Sequence, residues 1–356
     1  MGLVIQKMEN KNIGIVTLWK ANYGSSLQCY ATKYLLKKRG YEGVLLVHEE
    51  RNPLIRIYIG VVNRIFRSLT FLCYPKYRNS LRASIVSGKK QASSKNSSLE
   101  SFNEEYLNPQ RMDYLSLKRF ASKETTVRVF SGSDQVWNGN CVDFYMPGFL
   151  SFVKKAKRVA WAASFGVGEL PDFNKQRFAK KIKKFYKVSV REQRGREIVN
   201  EITGMDPQQI VDPVLMLSRQ EWDELISKKL KESEEDKEDY IVAFFLDRPI
   251  ETAIKIIERF SKKSGFNVVV CSQHHIINNE VPFKGDPFEL IDLIRSAKFV
   301  ISDSFHAIAL AIEYGVNFWA VERKYSHPFN QSERLISILT KIDLNKRFIE
   351  KTINLI

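Results

Sequence analysis

Short apolar runs alternate with longer amphipathic segments along most of this 356-residue chain. The runs have the length of strands, and we predict strands at 13–19, 44–47, 126–130, 159–164, 188–190, 209–211, 240–246, 268–271, 299–302 and 317–321. The segments between them have helical spacing, which predicts helices at 25–38, 173–186, 192–203, 221–230, 249–263, 287–297 and 305–314. Repeated strand–helix–strand order is typical of parallel sheets covered by helices on both faces. The predicted fold class is therefore α/β.

The length and one charged segment indicate two domains. At about 150 residues per domain, a chain of 356 residues has room for two full cores. The stretch 228–239 is charged, lacks core residues and separates two blocks of alternation, which favours a boundary at or shortly before it. We predict an N-terminal domain at 1–215 and a C-terminal domain at 216–356, with the last helix packing back on the N-terminal domain.

Cysteine use and the N-terminal sequence favour a reducing cytoplasm. The four cysteines form no C-x-x-C pair, so neither a disulfide framework nor a zinc ribbon is supported. The sequence shows no signal-peptide core and no run of about 18 apolar residues. It also lacks a P-loop and a G-x-G-x-x-G fingerprint, so nucleotide hydrolysis and nicotinamide chemistry are not supported. We expect a cytoplasmic protein with no metal.

The formal net charge of +16 indicates a polyanion, an anionic membrane surface or anionic small substrates. Residues 51–100 hold ten Lys and Arg against one acid, Glu100, which gives this segment a charge of +9. Its first half is apolar with arginines spaced through it, a pattern that suits a helix lying on anionic lipid at the inner face of the membrane. A solvated basic insertion is the alternative. No nucleic-acid-binding motif is present, so we expect no nucleic-acid partner.

Two polar motifs follow predicted strands in the N-terminal half. Asn22-Tyr23-Gly24-Ser25-Ser26-Leu27-Gln28 lies between the first strand and the first helix, where backbone N–H groups can receive an anion or a sugar hydroxyl. A plain turn with a serine cap is the alternative. Gly132-Ser133-Asp134-Gln135-Val136-Trp137-Asn138 follows the strand that ends at 130, and its carboxylate, amides and indole suit sugar recognition. The alternative for this heptad is a polar turn with a buried tryptophan.

An arginine and a histidine stand out further along the chain. Arg191 ends a short strand, where a guanidinium can hold a carboxylate or phosphate through two parallel hydrogen bonds, although a surface ion pair would explain it equally well. Ser302-Asp303-Ser304-Phe305-His306 joins a buried strand to a helix. His306 therefore falls in the first helical turn at the mouth of the sheet, and such an imidazole can exchange a proton with a substrate.

Taken together in this order, with Ser189-Val190-Arg191-Glu192 and Asp212-Pro213-Val214 between them, the motifs resemble those of the polysaccharide pyruvyl transferase family. The resemblance covers residues 13–325, and its specific parts are the heptad at 132–138 and the pentad at 302–306. It implies two Rossmann-like domains facing a cleft, as in GT-B glycosyltransferases, with the acceptor on the N-terminal side and the donor on the C-terminal side. It further implies phosphoenolpyruvate as the donor, a hexose hydroxyl pair of a surface or capsular polysaccharide precursor as the acceptor, and no cofactor.

Residue roles follow from the same resemblance. Arg191 would hold the donor and His306 would be the general acid, while Asp134 is our candidate for activating a sugar hydroxyl. Ser304 is also a donor-binding candidate, because the helix that starts there would help to bind the phosphate group. Some members of the family have an arginine at the position of Ser304, so Arg194, Arg323 or Lys324 would have to replace it. The acceptor-binding candidates lie in the two N-terminal motifs and are Asn22, Tyr23, Gln135, Trp137 and Asn138.

Three points stay open at this level. A GT-B glycosyltransferase that uses a nucleotide sugar would be compatible with the same arginine and histidine motifs. A relative without catalytic activity is a second alternative, because Ser304 departs from the pattern. The acceptor could be a free sugar or a lipid-linked oligosaccharide, and the basic segment at 51–100 would suit the latter.

Overall fold

The structure of the protein is a computed structural model. It describes residues 11–20, 22–78, 96–143, 146–230, 238–272, 274–323 and 332–350. The predicted basic insertion at 51–100 is therefore described up to residue 78 and from residue 96, and Lys324 lies outside the described residues.

The structure contains two groups of parallel strands. The first group is β1 (Asn12–Val16), β2 (Glu42–His48), β3 (Gln110–Met112), β4 (Thr126–Ser131), β5 (Arg158–Ala163), β6 (Lys187–Val190) and β7 (Gln208–Gln209). The second group is β8 (Tyr240–Phe244), β9 (Asn267–Cys271), β10 (Val281–Pro282), β11 (Phe299–Ser302), β12 (Asn317–Val321) and β13 (Phe348–Ile349).

Helices connect these strands and cover the sheets. They are α1 (Tyr23–Lys38), α2 (Pro53–Cys73), α3 (Ser97–Phe102), α4 (Tyr114–Ser122), α5 (Asp172–Ile182), α6 (Gln193–Thr203), α7 (Arg219–Ser227), α8 (Glu251–Ser264), α9 (Pro287–Arg295), α10 (Phe305–Tyr314) and α11 (Glu333–Lys341). Among the described residues, no helix is both long enough and apolar enough to cross a membrane.

The strands form one sheet of seven in the order β3-β2-β1-β4-β5-β6-β7 and one of six in the order β10-β9-β8-β11-β12-β13. Neighbouring strands pair in parallel throughout both sheets. This confirms the predicted α/β fold class. In each sheet the strand order reverses once, between β1 and β4 and between β8 and β11, and open parallel sheets bind ligands at such points.

Local sequence explains where the helices at these reversal points begin. Asn22 caps α1, because its side-chain oxygen accepts a hydrogen bond from the Ser25 backbone N–H at 3.0 Å, and the Ser25 hydroxyl group accepts one from the Asn22 backbone N–H. Ser304 caps α10 through the Ala307 N–H at 3.5 Å. Both motifs that the sequence placed after a strand therefore open a helix at the carboxyl edge of a sheet.

The two sheets share a continuous apolar core. One cluster of buried side chains contains Leu27 of α1 together with Val242 of β8 and Ile291 of α9. Separate clusters fill the rest of each sheet's interior, around Trp137 in the first and Ile257 in the second. The contact between the sheets is thus apolar, and it holds the carboxyl-edge motifs of both sheets close to one another.

The structure adds elements that the periodicity does not indicate. These include the edge strands β3, β10 and β13 and the helices α3, α4 and α11. Edge strands of two or three residues are too short for a detectable alternation. The first sheet ends at Gln209 and the second begins at Tyr240, and the predicted boundary at 215/216 falls in the short turn Pro213–Met216 between them.

Candidate active site

The motifs from both halves of the chain meet at the carboxyl edges of the two sheets. The segment that starts at Asn22 follows β1, the heptad follows β4, and Arg191 follows β6. The pentad that contains His306 follows β11. Contacts between these segments, described below, join the N-terminal and C-terminal parts in one cluster of buried polar side chains.

His306 lies in the first turn of α10 and its ring packs against α1. A Cβ atom at Gly24 would lie 2.1 Å from His306 Nδ1 and 2.4 Å from its Cγ, so any side chain at position 24 would occupy the space of the ring. His306 is buried, and its Nε2 atom has no hydrogen-bond partner among the described residues. Gly24, which the sequence placed in a motif that could receive an anion or a sugar hydroxyl or be a plain turn, therefore admits the imidazole from the other half of the chain.

Asp212 connects the arginine, the heptad and the histidine. Its Oδ2 atom accepts hydrogen bonds from Arg191 Nη1 at 2.5 Å and from the Ser133 hydroxyl group at 3.0 Å, and it lies 3.7 Å from His306 Nε2. Burial by itself would raise the pKa of the Asp212 carboxyl, but Arg191 and His306 outweigh it and hold this pKa well below its usual range. Asp212 is therefore a permanent negative charge beside the imidazole.

Arg191 is surrounded by acidic side chains and one aromatic ring. Besides Asp212, its guanidinium lies 3.4 Å from Asp134 Oδ1 and 3.8 Å from Glu192 Oε2. It also lies 4.7 Å from the centre of the Phe305 ring. Arg191 Nε and Glu192 Oε2 are buried and have no hydrogen-bond partner among the described residues. Buried groups are normally paired, so these atoms are suited to a ligand.

Arg334 is the principal site residue that the sequence analysis missed. It lies in α11, is buried, and places its Nη1 atom 3.5 Å from Asp134 Oδ1. The carboxylate of Asp134 thus lies between two guanidinium groups. A signal was available, because Arg334 falls on the same face of an amphipathic helix as Ile338, where an arginine is unusual.

A cleft opens beside this cluster. Arg191 and Glu192 line it from the first sheet, and Phe305, Arg334 and Lys341 line it from the C-terminal part. Three basic groups, Arg191, Arg334 and Lys341, thus border one cavity, whereas His306 and Asp134 are not among the residues that line it. Within the described residues, no group of three or more His, Cys, Asp or Glu side chains is placed to hold a metal ion.

The structure corrects the acceptor-binding role predicted for Trp137. The indole is completely buried, stacks on Phe149 at 5.8 Å between ring centres, and donates its N–H to the Gly148 carbonyl at 3.2 Å. Gln135 and Asn138 are partly exposed, and Asn138 Nδ2 donates to Gln135 Oε1 at 3.4 Å. The buried-tryptophan alternative is the right one for this part of the heptad, while Asp134 faces the cluster.

Tyr23 also differs from its predicted role, because it joins the two halves of the chain. Its hydroxyl group donates to the Gly285 carbonyl at 3.0 Å and accepts from Asn96 Nδ2 at 2.8 Å. Its ring packs edge-on against Phe244 at the end of β8. Burial raises the pKa of Tyr23 to about 12. With Asn22 acting as the α1 cap, both residues support the position of α1, and neither is among the residues that line the cleft.

Of the predicted donor-binding residues that the structure describes, Arg191 lines the cleft, whereas Arg194, Ser304 and Arg323 do not. Arg194 donates to the Gly168 carbonyl at 2.5 Å and to Glu201 at 2.7 Å, which directs it along its own helix and away from the cluster. Ser304 is a buried cap. Arg323 lies beside the pentad and donates to Asp303 Oδ2 at 3.2 Å, so it stabilises the position of the pentad.

Comparison with known proteins identifies one matching family. A family model described as "Polysaccharide pyruvyl transferase" matches residues 22–325, which is most of the chain. No curated protein sequence matches the chain closely enough to be counted as a relative.

Several solved structures have a similar fold. The UDP-GlcNAc 2-epimerase of Neisseria meningitidis bound to UDP-GlcNAc is 11% identical, with 96% of this chain and 94% of that chain covered at a TM-score of 0.45. MurG of Acinetobacter baumannii is 10% identical, with 97% and 87% covered at a TM-score of 0.45. The Escherichia coli heptosyltransferase WaaC is 11% identical, with 95% and 92% covered at a TM-score of 0.37.

The family match begins at Asn22, the cap of α1, and ends just beyond Arg323 at the end of β12. It therefore includes every motif on which the sequence resemblance was based. By this match, the chain belongs to the polysaccharide pyruvyl transferase family.

Proposed function

We propose that this protein transfers the pyruvate group of phosphoenolpyruvate to two hydroxyl groups of a hexose in a surface polysaccharide precursor, forming a cyclic ketal. The observation that carries this proposal is the buried imidazole of His306, whose Nε2 has no hydrogen-bond partner among the described residues and lies next to the Asp212–Arg191 pair. Such an imidazole can act as an acid, and the neighbouring guanidinium can hold the anion that receives the proton.

Arg191, Arg334 and Lys341 are the proposed donor-binding groups. The two arginines face Asp134 at 3.4 and 3.5 Å, which is long for charged hydrogen bonds, whereas Arg191 holds Asp212 at 2.5 Å. A trianionic donor in the cleft would compete with Asp134 for both guanidinium groups and leave the Asp212 contact intact. Arg334 then supplies the second guanidinium that the sequence lacks at position 304.

The proposed reaction uses His306 as the acid and Asp134 as the base. His306 gives a proton to the methylene carbon of phosphoenolpyruvate, which becomes a methyl group and leaves an oxocarbenium-like carbon at C2. One sugar hydroxyl oxygen bonds to C2 while its proton passes to Asp134. The bond between C2 and the phosphate oxygen then breaks, and phosphate leaves with the proton held by Asp134. The second hydroxyl oxygen closes the ketal, and its proton restores His306.

The test incubates the full chain with phosphoenolpyruvate and with free or lipid-linked oligosaccharides, and follows phosphate release and the mass of the acceptor. We expect phosphate release coupled to the mass increase of one pyruvate ketal. His306→Ala should abolish both, whereas His274→Ala, which alters an exposed histidine, should not. Ketal formation at the wild-type rate by His306→Ala would disprove the role of His306.

A parallel reaction with nucleotide sugars distinguishes the main alternative. Release of nucleotide with no phosphate release from phosphoenolpyruvate would show a glycosyltransferase. A thermal-shift titration with phosphoenolpyruvate addresses a non-catalytic relative, because the absence of any stabilisation would mean that the donor does not bind.

A further inference from the structure

Helix α2 presents an apolar surface that the rest of the described structure leaves uncovered. Of its 21 residues, Thr70 is the one with a buried side chain. Eight large apolar side chains on this helix are between 42% and 74% exposed: Leu54, Ile55, Ile57, Tyr58, Val61, Ile65, Leu69 and Leu72. Isolated exposed apolar residues are ordinary, but a group of eight on one helix indicates a binding surface.

Six of these side chains form a single stripe. Positions 54, 58, 61, 65, 69 and 72 are separated by three or four residues, which places them on one side of a helix. At a rise of about 1.5 Å per residue, the stripe is roughly 27 Å long. We call these six residues the apolar stripe.

The opposite side of α2 is attached to the protein. Arg67 Nε donates to Asp143 Oδ1 at 2.9 Å, and Phe66 lies under the Arg177 guanidinium at 4.7 Å. Just beyond the helix, Tyr77 is buried against Phe173 of α5. These contacts orient the apolar stripe outward. Arg67, one of the arginines in the segment predicted to lie on lipid, faces the protein instead.

The charge around the stripe is strongly positive. The helix contains three arginines and no acidic residue, and residues 51–100 carry a net charge of +9. Arg51 and Arg78, on either side of the helix, are both exposed. An apolar stripe with basic residues at its ends and few acids is typical of helices that lie in the interface of an anionic bilayer.

We propose that α2 binds the surface of an anionic membrane, lying in the plane of the interface with the apolar stripe among the acyl chains. A second copy of the chain is a poorer occupant, because pairing two α2 helices would bring together two segments that each carry +9. Anionic headgroups compensate this charge instead of adding to it.

The position of α2 gives membrane binding a consequence for the cleft. The helix follows β2, which is the neighbour of β1, and it therefore begins at the same carboxyl edge as the motif at Asn22. Its contact with Asp143 attaches it to the chain just after the heptad. Membrane binding would hold this edge near the lipid surface, where a lipid-linked acceptor is found. That consequence rests on the proposed function, whereas the binding itself does not.

The test measures flotation of the full chain with vesicles of phosphatidylcholine alone and of phosphatidylcholine with phosphatidylglycerol. We expect binding to the anionic vesicles and little to the neutral ones. Replacing Val61, Ile65 and Leu69 together with Gln should weaken partitioning by roughly 100-fold. The matched control replaces Leu115, Tyr186 and Val211, which are exposed to a similar degree elsewhere, and should bind like the wild type.

Two further measurements keep the result clear. Thermal unfolding and phosphate release with a water-soluble acceptor should be unchanged in the α2 triple variant, so a loss of vesicle binding cannot be a loss of folding or of chemistry. Equal vesicle binding by wild type and triple variant would overturn the proposal. So would a wild-type dimer in analytical ultracentrifugation that the triple variant abolishes, because the stripe would then be a protein interface.

Discussion

At the scale of single residues, two carboxylates share the guanidinium of Arg191 unequally. Asp212 accepts from it at 2.5 Å and is completely buried, whereas Asp134 lies 3.4 Å away and is also 3.5 Å from Arg334. The tight pair is suited to hold Arg191 in place. The loose contacts of Asp134 are suited to be given up when an anionic ligand enters the cleft.

Asp134→Asn should separate donor binding from turnover. Removing the negative charge that competes for both arginines should tighten binding of phosphoenolpyruvate by about tenfold, or about 1.4 kcal/mol. Because an amide cannot take the hydroxyl proton, turnover should fall by at least about 100-fold. Calorimetric titration and phosphate release measure the two effects. Asp206→Asn, at an exposed ion pair, is the control, and an unchanged donor affinity in Asp134→Asn would contradict the competition.

Gly24→Ala tests the close approach of α1 to the imidazole. The new methyl group would lie 2.1 Å from His306 Nδ1, so the ring must move. A displaced acid should lower kcat by about 100-fold, since small errors in placement of a reacting group are costly. Gly60→Ala is the matched control, because nothing lies within 4 Å of its Cβ position. Equal rates for both variants would show that the ring position does not matter.

At the scale of secondary structure, the site depends on α11. This helix lies about 200 positions from the heptad along the chain, and its Arg334 is one of two arginines that contact Asp134. The sequence prediction that a last helix packs back on the N-terminal domain gave no bounds for that helix, and α11 is the last helix among the described residues. Most side chains of the buried polar cluster follow the ends of strands, whereas Arg334 comes from α11 and lies outside every strand-end motif.

Arg334→Gln should weaken donor binding with little effect on folding. A hydrogen bond to a charged group contributes about 1.5–3 kcal/mol, so KM for phosphoenolpyruvate should rise roughly 10- to 100-fold. Arg334→Lys should recover part of this loss, because it keeps the charge without the two-pronged geometry. Arg259→Gln, on the exposed side of α8, is the control. If Arg334→Gln leaves KM unchanged while Arg191→Gln raises it, Arg334 does not contact the donor.

At the scale of the whole molecule, the two sheets are joined by a shared core and by specific hydrogen bonds. The core cluster runs from α1 through β8 to α9 without a break. Tyr23 adds hydrogen bonds at the same contact, because its hydroxyl group donates to the Gly285 carbonyl and accepts from the Asn96 side chain. A joint of this kind favours unfolding of both sheets as one unit.

Tyr23→Phe should destabilise the protein without splitting its unfolding transition. The variant loses two hydrogen bonds and leaves the Gly285 carbonyl without its partner, at a cost of about 1–3 kcal/mol. Amide hydrogen exchange in β4 and in β8 should report the same loss. Tyr58→Phe, on the exposed side of α2, should have no effect. A loss confined to one of the two strands would show that the sheets unfold independently.

The strand–helix periodicity was enough to predict the fold class and the strand ends at which polar motifs lie. Alternation of apolar runs with amphipathic segments is a local property, so the ends of strands such as β4, β6 and β11 could be located without a structure. Because parallel strands end at one edge of a sheet, Asp134 and Arg191 could be assigned to a common region. His306 follows a strand of the second sheet, and only the family resemblance implied that it lies across a cleft from them.

Which of these groups touch depends on how the whole chain packs. Three results depend on neighbours that are distant in sequence. Trp137 is a core residue, Tyr23 joins α1 to the second half of the chain by a hydrogen bond, and Arg194 turns away from the cleft. The same holds for Arg334, which meets Asp134 across 200 positions. Periodicity encodes which face of an element is buried, but partners across the contact between two sheets are selected by packing of the whole chain, which no local pattern contains.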